Sequence, residues 1–239
     1  AWTPWKNVGE TTLEAGRDFD QVVLGISLAA LKDVCPELIA ANQAWRNMVE
    51  KIETVQTQAV QLWLKPDAAG LGWDKPPVML TSYAEPLDTW ADLSHLIPRE
   101  DWPAENGPRN IAYFCGPMED PPFTPPYSDH DFPERELNRT KRMAADYFAQ
   151  NTGHLWPKAT MPGTQSLDWR LLAGANEDGV YYRANANPTD RYVINAPGTV
   201  QYRLPADGAG FDNLYLTGDW VYNSLNYGCI EAAVMAGPR

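Results

Sequence analysis

From Asn213 to Thr217 the chain reads Asn-Leu-Tyr-Leu-Thr, closes on Gly218-Asp219-Trp220, and after a short loop opens a second apolar segment running from Gly228-Cys229-Ile230 to Gly237. The first stretch is a buried strand: apolar, too short for a helix, and stopped by a glycine. The second is a helix rich in alanine, with Glu231 in its first turn, where an acidic side chain suits the helix dipole. This order constrains the fold more than any other feature. It sets the Asp219 carboxylate at the carboxyl end of a strand, where α/β sheets bind ligands. Close by it sets a helix start whose first amides have no intrahelical acceptor. Gly218 allows close approach to the backbone.

The rest of the chain alternates between helical and extended patterns. Phe19 to Ser27 is a β-branched apolar run closed by small residues, the pattern of a buried strand. Leu28 to Val34 makes one or two helical turns before Pro36. Leu38, Ile39, Trp45, Met48, Val49 and Ile52 recur at helical spacing, which predicts one amphipathic helix over 37–52. Thr54 to Leu64 partly alternates and predicts a strand with one buried face; Val78 to Tyr83 and Asn110 to Cys115 predict two more. Residues 66–77 are a loop rich in Pro and Gly. Six prolines from Gly116 to Pro133 inclusive forbid regular structure and predict a surface excursion or lid. Glu134 to Gln150 is a helix started by Pro133. Residues 151–190 read as irregular, and Asp190 to Ile194 and Thr199 to Leu204 as short extended pieces.

Charge and cysteine usage exclude several functions. The 239 residues carry a net charge of -12, so a nucleic-acid partner is not expected, because such binding rests on neutralising phosphates. No apolar run reaches the length of a membrane span. Cys35, Cys115 and Cys229 are widely spaced, with no CxxC and no metal-ligand spacing. Free thiols in a reducing, cytoplasmic setting are the expectation.

The pattern N-L-Y-L-T-G-D-W, a spacer, and G-C-I-E-A-A-V-M-A-G resembles the closing FAD-binding motif of the flavin-containing amine oxidase and phytoene desaturase superfamily. Ala196 to Leu204 is similar to the segment before that motif in bacterial members, and Phe19 to Ser27 to the strand before entry into the substrate domain. The resemblance implies an α/β (α+β) fold. A partial FAD/NAD(P)-binding, Rossmann-like domain (1–40 and 191–239) would carry an inserted substrate domain (41–190) built on an antiparallel sheet plus helices. It implies FAD as cofactor, a small organic molecule as substrate, and hydride transfer from a C–H bond of amine or desaturation type. Gly218 and Asp219 would meet the ribityl or pyrophosphate region. Trp220, Asn226 and Tyr227 would lie close to the flavin, and the amides of Gly228, Cys229 and Ile230 would face the pyrimidine edge. No catalytic acid or base is singled out.

Two departures shape this expectation. The superfamily's opening G-x-G-x-x-G turn is absent, so the chain reads as the C-terminal portion of such an enzyme. The alternative is a non-catalytic fragment or subunit that completes a flavin site only with a partner chain carrying that motif. Amine oxidases with an aromatic cage put Tyr where Cys229 stands, which argues against a simple amine substrate.

Overall fold

The structure, a computed structural model, describes residues 1–103, 105–174 and 179–237. The fold is mixed α and β, with an antiparallel sheet plus helices as expected. The chain divides into two compact units, one comprising Ala1–Gln56, Asp120–His130 and Ala186–Arg239, the other Thr57–Glu119 and Asp131–Asn185. The edges of this division fall at 56/57, 119/120, 130/131 and 185/186.

In the first unit, β1 (Val22–Leu24) pairs in parallel with β8 (Leu214–Leu216), Val23 opposite Tyr215. Around this pair wrap α1 (Leu31–Val34), α2 (Pro36–Ala41) and α3 (Gln43–Lys51). The single helix expected over 37–52 is broken at Asn42. That residue is extended (φ -132°), and its side chain caps α3 by accepting from the Ala44 amide at 2.8 Å. The break turns Trp45, Met48 and Val49 into a core with Leu24, Leu31, Leu216 and Trp220, which is why 41–56 belong to this unit. Trp45, fully buried, donates its indole N–H to the Ala209 carbonyl at 2.7 Å. The proline-rich excursion is also anchored here: Trp2 packs edge-on to Tyr127 and donates to the Pro125 and Pro126 carbonyls.

Only three residues of the expected strand over Phe19 to Ser27 are extended, and only Leu24 of these is buried; Val23 is 62% exposed. A parallel strand needs cover on both faces to be buried, and among the described residues β1 pairs with β8 alone.

The second unit is built on β2 (Thr54–Leu64), β3 (Met79–Leu80), β4 (Thr89–Asp92), β5 (Asn110–Met118) and β6 (Val180–Asn185). The sheet runs β3-β4-β5-β2-β6; the first residues of β2, Thr54 and Val55, belong to the first unit and pair there with β7 (Tyr192–Val193). Two elements lie where loop was expected. A turn of helix, α4 (Ala68–Leu71), is capped by Asp67 and closed by Gly72 at φ 100°, and β6 falls within 151–190. Residues Val200–Tyr202, read as extended, form a 3-10 turn. The long helix α5 (Phe132–Leu155) covers one face of the sheet, where Ala144, Tyr147 and Phe148 meet Phe114, Trp90 and Trp156. The rings there sit edge to face, the arrangement their quadrupoles favour.

Candidate functional site

The strand β8 ends as its pattern predicts. Thr217 donates its amide to Leu24 at 3.0 Å, and the chain then turns through Gly218 at φ 138°, a conformation open in practice to glycine alone. A Cβ on Gly218 would lie 2.6 Å from Nε1 of Trp220. The glycine is thus already required by the indole packed against it. Trp220 itself is 2% exposed and belongs to the core, so it supports the turn from the inside.

Beyond the turn, one residue organises the loop. The carboxamide oxygen of Asn223, a buried side chain, accepts from the amides of Leu225 and Asn226 (2.8 and 2.9 Å). Its nitrogen donates to Val221 and to Ala232 in α6 (Ile230–Met235) at 2.9 and 3.2 Å. Asn226 takes the left-handed conformation (φ 49°) that asparagine tolerates. Cys229 is the N-cap of α6, its Sγ accepting from the Ala232 amide at 3.4 Å. The thiol therefore has a packing role at the helix start. The Ile230 and Glu231 amides precede the first intrahelical bond and have no acceptor within the helix. Tyr227 and Ile230 are exposed, Ile230 at 81%.

What draws the turn and the loop together is a segment to which sequence reasoning assigned no role. The Tyr192 hydroxyl donates to the Gly228 carbonyl, and its ring fills the space a Gly228 side chain would need. Burial pushes this phenol well above its ordinary range, helped by Tyr227, Asp219 and Cys229 around it. One ring thus feels members of both halves of the motif. Asn195 donates to the Asn226 carbonyl, and Arg203 donates to both Asn195 Oδ1 (2.6 Å) and the Asp219 carbonyl (2.5 Å). Burial raises the Asp219 carboxyl above the usual carboxylate range, opposed by the Arg203 charge and by amide hydrogen bonds from Asp219 itself and Trp220. Burial likewise lowers Arg203, opposed by Asp219 and Tyr192. No local sequence signal marks Tyr192 or Asn195, and Arg203 lies in the Ala196–Leu204 segment without a role assigned to it, because each acts on residues distant along the chain.

A cavity of about 720 Å³ flanks this arrangement in the same unit, lined by Tyr215, Tyr222, Asn223 and Met235 among others. Its size lies in the range of small-molecule and cofactor sites. In the second unit, the sheet face opposite α5 carries Tyr113 and Cys115 on β5 and Tyr181 on β6. Burial raises Tyr113, together with Cys115 and Tyr181 beside it, and burial with the nearby Asp88 raises Cys115.

No family model matches the sequence, and no curated protein matches it. A solved structure of an oxidoreductase from Methanosarcina mazei shares the fold, with a TM-score of 0.50 and 15% identity. The match covers 92% of this chain and 42% of that one. This chain therefore spans less than half the length of that structure. All three cysteines are free, and among the described residues no helix is long and apolar enough to cross a membrane.

Proposed function

We propose that this chain is the carboxyl-terminal portion of an FAD-dependent oxidoreductase, similar to the flavin-containing amine oxidases and phytoene desaturases. The observation that carries the reading is one set of hydrogen bonds: Tyr192 donates to the Gly228 carbonyl, Asn195 to the Asn226 carbonyl, and Arg203 to Asn195 and the Asp219 carbonyl. The strand end and the helix start of the motif therefore share one neighbourhood, and the residues present there fit part of a flavin. Asp219 offers an acceptor for ribityl hydroxyls, the amides of Ile230 and Glu231 are free of intrahelical acceptors, and buried Arg203 supplies a positive charge. When bound, FAD supplies a hydride acceptor for an organic C–H bond, of amine or desaturation type. The protein's part is orientation and electrostatics.

A second reading has its own support. Val22, Val23, Ile230 and Val234 are exposed apolar side chains around the motif, and the chain contains no G-x-G-x-x-G. On this reading the flavin site is complete only with a partner segment, on the same polypeptide or another, that brings the dinucleotide-binding turn. Titration with FAD, followed by flavin fluorescence, separates the two. The protein expressed with any sequence preceding this chain in its gene should purify yellow, whereas the 239-residue chain alone should bind FAD weakly. A folded, colourless long form that ignores added FAD removes the flavin reading. Submicromolar binding by the short chain removes the need for a partner.

A further inference from the structure

Arg203 is 4% exposed, yet its guanidinium meets no carboxylate at ion-pair distance among the described residues. Its two terminal nitrogens are spent on neutral oxygens, the Asp219 carbonyl and Asn195 Oδ1, and its Nε is buried without an acceptor. Burying a cation without a carboxylate in direct contact is costly, and a brace needed only for folding would be made more cheaply by a neutral amide. The planar fork of a guanidinium does something an amide or an ammonium does not: it fixes the separation of two acceptors. Here one acceptor is the backbone of the Gly218-Asp219 turn. The other is Asn195, whose own nitrogen donates to the carbonyl of Asn226 across the loop. A chain of three hydrogen bonds thus runs from the strand end to the loop before α6, with the cation at its centre.

We propose that Arg203, working through Asn195, is the positioning residue of the candidate flavin site. It sets the spacing between the Asp219 turn and the 226–228 loop, and it places a positive charge in the site. This rests on the flavin reading above. Both functions follow from the same geometry, and they predict different behaviour in substitution. Arg203→Lys keeps the charge and loses the fork; Arg203→Met loses both.

The test uses the longest form of the protein that binds FAD, with affinity read by fluorescence titration and the flavin midpoint potential by dye equilibration. Arg203→Met should weaken FAD binding about tenfold or more, the scale of one lost charge-assisted hydrogen bond. It should also lower the midpoint potential, because reduced, anionic flavin loses a nearby cation. Arg203→Lys should hold the potential while remaining weak in binding. Asn195→Ala, which leaves the Arg203 bond to Asp219 intact, should weaken binding without moving the potential, and it serves if Arg203→Met does not fold. Wild-type protein that takes no FAD sinks the flavin reading and this inference with it. Wild-type protein that binds FAD, with variants binding within about twofold at unchanged potential, overturns the inference alone.

Discussion

Cζ of Tyr192 stands 2.6 Å from where a Cβ on Gly228 would lie, and the Tyr192 hydroxyl donates to the Gly228 carbonyl. The neighbouring Val193 carbonyl is only 2.8 Å from the same point. Gly228→Ala therefore has to push backbone as well as a ring, and should destabilise the first unit by about 1–3 kcal/mol, the range of overpacked sites. Denaturant unfolding measures it. A double-mutant cycle with Tyr192→Leu should give a coupling energy clearly different from zero. Additive effects would mean that the ring moves aside freely.

The Asp219 carboxyl has a folded-state value raised by burial. Between its unfolded and folded values the native state holds more protons than the unfolded state. Stability from this group is therefore greatest in acid and falls as pH rises through that window. At neutral pH the ionised side chain is a net cost to folding. Asp219→Asn should accordingly leave the melting temperature unchanged or raise it at pH 7, and should flatten the pH dependence of stability at its acid end. If the proposed flavin site is correct, the same substitution should weaken FAD binding. A lower melting temperature at pH 7 would show that Asp219 is kept for the fold.

The parts of this fold that were legible are those whose pattern is local. β2 runs from Thr54 to Leu64 as its partial alternation predicts, and α5 has Pro133 in its first turn, though it runs from Phe132 to Leu155 rather than over 134–150. The close of β8 at Gly218 is equally local. β6 was hidden because Tyr181 and Arg183 on its open face are large and amphipathic, so Val180 to Asn185 shows little contrast between faces. The split at Asn42 was hidden because the apolar period continues through it while the capping bond breaks the helix. At the site, the strand, turn and helix start could be read because they are contiguous. Arg203 and Tyr192 could not be read, since their significance lies in carbonyls 16 and 36 residues away. The glycines were legible as special positions, but part of their reason was not: Trp220 and Tyr192 occupy the space beside them.

Asn223 makes four hydrogen bonds to the backbone of the loop and of α6. Asn223→Asp keeps the shape and the accepting oxygen but loses the donor that reaches Val221 and Ala232, leaving a buried charge facing carbonyls. It should cost about 2–3 kcal/mol, as unsatisfied buried carbonyls do, and should raise proteolytic cleavage within 221–229. Asn223→Ala should be comparably harmful. If Asn223→Asp matched wild type in both measurements, the loop would owe its shape to Tyr192, Asn195 and Arg203 alone.

The outer edge of β1 offers the last test. Val22 donates its amide to the Asn213 carbonyl, and Leu24 accepts from Thr217, so both residues spend their backbone groups on β8. In a parallel ladder the intervening residue then points its groups the other way, and Val23 does so with an apolar side chain 62% exposed. A two-stranded pair with three residues in each strand is marginal in water. If a partner segment carrying the dinucleotide-binding turn covers this edge, the consequences of Val23→Asp depend on its presence. In the 239-residue chain the substitution lies at an exposed position and should change stability by no more than about 0.5 kcal/mol. In a form that carries such a segment it would bury a carboxylate and should cost about 2 kcal/mol or more, with loss of any FAD bound on the proposed reading. Equal, small effects in both forms would show that the edge remains open and that no partner segment covers it.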